Sequence, residues 1–433
     1  MSNIVAIVGR PNVGKSTFYN RMIGERQAIT DNVSGVTRDR MYGEMEWNGK
    51  KFTVVDTGGF VEGSNDIFEK EIRAQVRIAV AEADAIIFMT DARTGATDLD
   101  LEVANLLRRS EKPVYLCVNK VDNHEQLMEA NEFWSMGFDN TFFVSSMTGS
   151  GTGDLLDAVV EKIENTEPLD TDLPRIAIVG QPNVGKSSFT NALLGEDRNI
   201  VTDIAGTTRD SIHTKYKKFD KEFLLIDTAG IRKKAKVHED LEFYSVMRAI
   251  RALEESDVII LMIDATLGVE MQDLKIFRLA QKRNKGIVVL VNKWDLIEKE
   301  TNTARDMEKE IRERFAPFRD LPIIFVSALE KQRIFKAVEE ALKVYESRSR
   351  KITTSQLNDY FQPILDHNPP PAHRGRLVKI KYITQLPTYY PAFAFFCSNP
   401  KYIREDYKNF LENKLREKWD FTGVPVSVFF RKK

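Results

Sequence analysis

This chain contains itself twice, and the duplication restricts its architecture more than any other property of the sequence. The stretch Ile4 to Thr17, IVAIVGRPNVGKST, returns 171 residues later as Arg175 to Ser188, RIAIVGQPNVGKSS. Three further pairs keep the register: SGVTRD at Ser34 with AGTTRD at Ala205, DTGG at Asp56 with DTAG at Asp227, and NKVD at Asn119 with NKWD at Asn292. The spacing drifts to 173 only at the last pair. Shared composition does not align four dissimilar motifs in one order, so the repeat is a duplicated domain. A length of 433 residues, at about 150 per domain, leaves room for a third.

Within each copy, short Val/Ile-rich runs alternate with amphipathic stretches. Residues 84–91 read as a strand, 98–109 as a helix and 113–119 as a strand, and the strands 257–264 and 286–292 repeat the pattern. Such βαβ alternation predicts a mostly parallel sheet flanked by helices. Between the copies, Asn165 to Pro174, NTEPLDTDLP, has two prolines, three carboxylates and no apolar period, which reads as an exposed linker. After about residue 346 the order becomes αββαβ: a helix over 353–366, strands over 376–385 and 391–398, a helix over 402–419 and a strand over 425–431. The expected division is 1–165, a linker 166–174, 175–345, and a small α+β domain 346–433.

The motifs carry the chemistry. Gly9-Arg10-Pro11-Asn12-Val13-Gly14-Lys15-Ser16 and Gly180-Gln181-Pro182-Asn183-Val184-Gly185-Lys186-Ser187 each follow an apolar strand and precede a helical run, the context of a phosphate loop. The glycines let backbone N–H groups turn inward around phosphates, Lys15 or Lys186 reaches the β and γ phosphates, and the Ser16 or Ser187 hydroxyl suits magnesium. Base choice comes from Asn119-Lys120-Val121-Asp122 and Asn292-Lys293-Trp294-Asp295. The Asp122 or Asp295 carboxylate accepts both N–H groups on guanine's edge, and adenine would leave it unpaired. Ser145-Ser146 and Ser327-Ala328 end the next strands and resemble a loop that backs the base.

Asp56-Thr57-Gly58-Gly59-Phe60 and Asp227-Thr228-Ala229-Gly230-Ile231 are the second phosphate-side motif. Asp56 and Asp227 hold magnesium through water, Gly59 and Gly230 offer an N–H to the γ-phosphate, and Thr37 and Thr208 close over both. These expectations define two tandem P-loop G domains that bind GTP and magnesium. Phe60 and Ile231 stand where many GTPases place a water-orienting glutamine, so another group must orient the water and another cation neutralise the transition state. Arg38 and Arg209 are arguable cations for that role, with surface pairing as the alternative. Arg232, Lys233, Lys234 and Lys236 follow only the second motif, either as a solvated face or as a basic patch that moves with nucleotide state.

With these residues in place, the chain resembles the bacterial Der (EngA) family of double Era-like GTPases along essentially its whole length: two G domains followed by a KH-like domain. The resemblance implies association with the large ribosomal subunit and its rRNA, a role in 50S assembly, and room for an auxiliary protein. It also matches Asn12 and Asn183 to an asparagine that helps hold potassium in related potassium-activated GTPases. The C-terminal domain departs from an RNA-binding KH pattern, because Gly375 and Gly423 are its only glycines and no GxxG loop exists.

Charge supports a specialised C-terminal surface. The net charge is −1, yet residues 345–433 hold 16 Lys and Arg against 8 Asp and Glu. Lys379, Lys381, Arg404 and Arg416 are the expected rRNA contacts, Tyr382, Tyr389, Tyr390 and Phe393 are expected mostly in the core, and docking on a G domain is the competing use of the surface. No apolar run approaches the ~18–20 residues that cross a bilayer, so a cytoplasmic monomer without membrane contact is expected. Cys117 and Cys397 lie in apolar runs and read as core. Two rivals remain: a scaffold in which one G domain is permanently loaded, which Lys15→Ala against Lys186→Ala would separate, and a membrane-remodelling GTPase, for which no amphipathic anchor or lipidation motif speaks.

Overall fold

The computed structural model describes residues 3–30, 42–57, 65–163, 173–195, 202–205, 212–218, 221–226, 242–372 and 378–432. They fall into two compact units, Met1–Asp170 with Ala235–Arg251, and Thr171–Lys234 with Ala252–Lys433. Most of the linker read at 165–174 lies outside the described residues.

In the first unit the strands are β1 (Asn3–Val8), β2 (Tyr42–Trp47), β3 (Lys50–Asp56), β4 (Ala85–Asp91), β5 (Val114–Asn119) and β6 (Thr141–Phe143). The sheet order is β2-β3-β1-β4-β5-β6. All neighbours run parallel except the β2–β3 hairpin. Asn48 and Gly49, both with positive φ, close that hairpin in the conformation whose twist matches paired strands. β4 reads AIIFMTD and is buried at every position, as a central parallel strand covered on both faces must be. Alternate residues Val5 and Ile7 of β1, Ile87 and Met89 of β4 and Cys117 of β5 share one core with Phe18 and Met22 of the helix Lys15–Thr30 and Leu156 and Val159 of the helix Thr152–Lys162. The helix Asn65–Glu82 packs on β1 and against the helix Asp98–Arg108.

The second unit repeats this sheet with one more edge strand. β7 (Arg175–Gly180), β8 (Thr202–Ala205), β9 (Ile212–Lys218), β10 (Lys221–Ile226), β11 (Val258–Asp264), β12 (Gly286–Asn292) and β13 (Ile323–Phe325) order as β13-β12-β11-β7-β10-β9-β8. The C-terminal segment follows the expected αββαβ order: the helix Thr354–His367, β14 (Ile380–Gln385), β15 (Ala392–Cys397), the helix Glu405–Lys418 and β16 (Ser427–Lys432). β14 is antiparallel to β15, and β16 is parallel to it. Both cysteines are buried free thiols.

The C-terminal segment does not hold a separate core. One cluster runs from Ile176, Phe189 and Leu290 through Val344 to Leu357, Phe361, Phe395, Leu411 and Val428. Polar bonds close the joint: Ile287 N donates to Gly423 O at 2.7 Å and Gly423 N to Asp320 O at 2.8 Å. The expected rRNA contact Arg416 belongs to this joint instead. Its side chain is 14% exposed, pairs with Asp320 and Glu412, donates to the Phe421 and Val424 carbonyls, and lies over the Phe318 ring. A guanidinium with that many acceptors inside the fold is not presented to a ligand. Lys379, Lys381 and Arg404 are exposed, Phe393 is core, and Tyr389 is exposed rather than buried.

Candidate functional site

β1 runs into Gly9 and β7 ends at Gly180, positions that only glycine can fill. Gly9 and Gly180 share φ +148°, and a Cβ would stand 2.2 Å from Met89 O or 2.3 Å from Met262 O. Gly14 and Gly185 share φ +102°, and a Cβ there would meet Asn119 Nδ2 or Asn292 Nδ2 at 2.2 Å. Between them Asn12 and Asn183 turn the loop with φ 66° and 59°, the left-handed region that asparagine tolerates best among residues with a side chain. These left-handed positions turn each loop into the helix that begins at Lys15 or Lys186.

The invariant geometry of both copies centres on the NKxD asparagine. Asn119 Nδ2 donates to Val13 O at 2.8 Å while its Oδ1 accepts from Ser146 N at 2.9 Å and Ser146 Oγ at 2.8 Å. Asn292 repeats this, donating to Val184 O at 2.8 Å and accepting from Ala328 N at 2.9 Å. One side chain thus ties the phosphate loop to the loop after the next strand. Val121 N and Trp294 N donate to Val144 O and Val326 O, which anchors the motif's middle residue, and the Trp294 ring packs on Phe325.

In the first copy a cavity of about 720 Å³ brings the motifs together. Gly9, Pro11, Asn12, Gly14, Lys15 and Ser16 line one end, and Asn119, Lys120, Asp122, Ser145 and Ser146 the other. Lys15 Nζ donates to Gly9 O at 2.7 Å and Arg10 O at 2.8 Å, and burial lowers its pKa to about 8 against the pull of Asp56. Lys186 Nζ makes the matching bonds to Gly180 O and Gln181 O. Ser16 Oγ donates to Asp56 Oδ2 at 2.7 Å, placing a hydroxyl and a carboxylate side by side. Thr57 is turned away, its hydroxyl on Ile7 O. Pro182 and Ser187 keep the corresponding places in the second loop. Thr37, Gly58, Gly59, Phe60, Thr208, Asp227, Thr228, Ala229, Gly230 and Ile231 lie outside the described residues, as do Arg38, Arg209, Arg232, Lys233, Lys234 and Lys236.

Three features were not read from the sequence. Lys120 and Lys293 take left-handed backbone (φ 67° and 61°) and pair with Asp91 and Asp264 at the ends of β4 and β11, both at 2.5 Å. Burial opposes the charge on Asp264, but the bonds from Lys293 and Thr266 hold its pKa below the ordinary value. Arg10 and Gln181 reach not into the cavity but to buried carboxylates one helix away, Arg10 Nε to Asp100 Oδ2 at 3.0 Å and Gln181 Nε2 to Asp273 Oδ2 at 2.9 Å. Arg21 Nε donates to Ser146 O at 2.7 Å, bracing the base-side loop from the helix that begins with Lys15. Asp91 with Asp264 and Asp100 with Asp273 recur at the same spacing as the NKxD pair, a signal that was present in the repeat.

Two doubly wound sheets, each with a phosphate loop braced by an NKxD asparagine, define a tandem P-loop GTPase. A family described as "50S ribosome-binding GTPase" matches residues 4–120 and again 175–293, and one described as "KH-domain-like of EngA bacterial GTPase enzymes, C-terminal" matches 351–431. The chain is 62% identical over 434 residues to GTPase Der of Christiangramia forsetii and 58% identical over 435 residues to GTPase Der of Flavobacterium johnsoniae, covering 100% of both partners in each case. GTPase Der of Bacteroides fragilis is 58% identical over 437 residues with the same coverage. The chain belongs to the Der (EngA) family of double GTPases. Among the described residues no helix is long and apolar enough to cross a membrane.

Proposed function

We propose that this protein hydrolyses GTP at both sites and acts in maturation of the large 50S ribosomal subunit by associating with it in a nucleotide-dependent way, as a cytoplasmic monomer. The observation that carries the nucleotide reading is the cavity lined by Lys15, Ser16 and Asp122, with the buried Asp56 carboxylate behind it accepting from Ser16 Oγ. The ribosomal reading is supported by the family's description and by exposed Lys379, Lys381 and Arg404 on a segment rich in positive charge.

A hydroxyl and a carboxylate 2.7 Å apart are hard oxygen donors of the kind magnesium prefers. Ser16, Asp56 and Thr37 would hold it in the first site, and Ser187, Asp227 and Thr208 in the second. Bound there, magnesium supplies charge neutralisation at the β and γ phosphates. Lys15 and Lys186 contribute an ammonium to the same phosphates, and Gly59 and Gly230 a backbone N–H to the γ-phosphate. The side chains of Phe60 and Ile231 have no polar atom with which to orient water, so that work falls to backbone groups or to a group elsewhere. Asn12 and Asn183, whose carboxamides sit on the loop's exposed rim, would hold potassium, which supplies a positive charge beside the phosphates. Equal turnover in potassium and sodium at matched ionic strength would remove that part.

Sedimentation with large ribosomal subunits tests the whole reading, with GDP, a non-hydrolysable GTP analogue or no nucleotide, at two salt concentrations. Association should strengthen with the analogue and weaken with salt. Binding indifferent to nucleotide would leave a GTPase without the gate.

A further inference from the structure

The base end of the first site carries an arginine at a position where the second has a threonine. Arg93 N donates to Asp91 Oδ1 at 3.0 Å, and Arg93 Nη2 donates to Asp122 Oδ2 at 2.8 Å. In the second copy Thr266 N donates to Asp264 Oδ1 at 2.9 Å, which makes Thr266 the positional counterpart of Arg93. Thr266 sends its hydroxyl back to the same Asp264 oxygen at 2.7 Å. Asp295 therefore has no guanidinium from this position.

Asp122 is pinned at both oxygens, because Ser145 Oγ donates to Oδ1 while Arg93 holds Oδ2. Each carboxylate oxygen accepts two hydrogen bonds, so one acceptor direction is left on each. Guanine's edge needs two, one for N1–H and one for the 2-amino group. Arg93 and Asp122 both line the cavity. The bonds from Ser145 and then Arg93 keep the Asp122 pKa below the ordinary carboxylate value, so it stays an acceptor at neutral pH.

We propose that Arg93 determines the guanine selectivity of the first site by fixing the plane of the Asp122 carboxylate, so that its remaining lone pairs meet N1–H and the 2-amino group together. The inference rests on the reading that this site binds guanine nucleotides. Arg93 acts through Asp122 and is a positioning residue. Hypoxanthine lacks the 2-amino group and uses only half of the arrangement, so it gains less from a fixed plane. The pair itself is exposed, Arg93 at 56% and Asp122 at 30%, so its loss costs the fold little and the effect falls on binding.

The test uses the full chain carrying Asp295→Asn, which leaves the second site one acceptor and sets an NH2 donor against guanine's second N–H, so that guanine binding reports the first. Affinities for GDP and inosine diphosphate are measured by titration calorimetry. In Arg93→Ala, GDP affinity should fall about fivefold to tenfold and inosine diphosphate affinity less than about twofold, narrowing their ratio. Arg93→Lys should restore part of that ratio, with Tm unchanged in both variants. An unchanged ratio in Arg93→Ala overturns the proposal, and so does tighter GDP binding, which would make Arg93 an occupant that guanine displaces. A parent Asp295→Asn chain that binds no GDP overturns the guanine reading of the first site itself, and the inference with it.

Discussion

Gly14 and Gly185 hold their sites together through what they lack. A methyl group at either would stand 2.2 Å from the amide nitrogen of Asn119 or Asn292, the same nitrogen that reaches the Val13 or Val184 carbonyl. Gly14→Ala must therefore push the asparagine off the phosphate loop as well as strain a backbone at φ +102°. The expected result is a loss of about 100-fold or more in nucleotide affinity at the first site with the second unaffected, and the mirror result for Gly185→Ala. Site-resolved nucleotide titration checks it, and an equal loss at both sites would show that the two loops are not independent. Such residues are legible in the sequence because backbone geometry leaves one residue type to choose. Local periodicity carries no trace of the carboxylates that hold Arg10 and Gln181, since Asp100 and Asp273 lie 90 and 92 residues further along the chain, and only their recurrence in the repeat marks them.

At the scale of elements, long apolar runs were readable with their bounds, whereas the short strands were legible only as something that ends ahead of Ser145 and Ser327. β12 was expected over 286–292 and spans those residues, whereas β6 and β13, three residues each, exist only because a parallel neighbour pairs with them. Helix starts hold more chemistry than their sequence suggests. The helix Met271–Lys282 begins with a capping box in which Asp273 accepts from Glu270 N at 3.1 Å. Asp273 is nearly inaccessible, its Oδ1 has no hydrogen-bond partner among the described residues, and burial raises its pKa to about 6 despite the bonds from Glu270 N and Gln181. A raised acid pKa means the folded chain keeps a proton that the unfolded chain loses near pH 4. The contribution is thus fully present below about pH 4 and is lost as pH rises through about 6. Asp273→Asn removes that titration. Between pH 5 and pH 7.5 the variant should lose ~1–2 kcal/mol less stability than the parent in urea unfolding. Parallel pH profiles for the two chains would sink this account.

For the second unit as a whole, the decisive property is that the C-terminal segment and the second G domain share one core, the use that the sequence offered only as the competitor of rRNA contact. The surplus of positive charge pointed toward rRNA, but charge counts do not record direction, and Arg416 points inward. Its guanidinium serves Asp320, Glu412 and two backbone carbonyls at once, and Gly423 beside it accepts from Ile287 with φ +75° where a Cβ would stand 2.7 Å from Ile287 O. Arg416→Ala leaves the Phe421 and Val424 carbonyls without this donor in a half-buried joint, and the expected cost is about 2–4 kcal/mol in urea unfolding. Arg416→Lys should recover less than half of that, because a single ammonium cannot present the planar fork that reaches four acceptors. If Arg416 instead gripped phosphate, its removal would leave stability alone and flatten the salt dependence of ribosome binding. The joint predicts the reverse pattern: stability falls, while the salt slope of the folded variant stays that of the parent, and exposed Lys379→Ala or Lys381→Ala shifts the slope without touching stability.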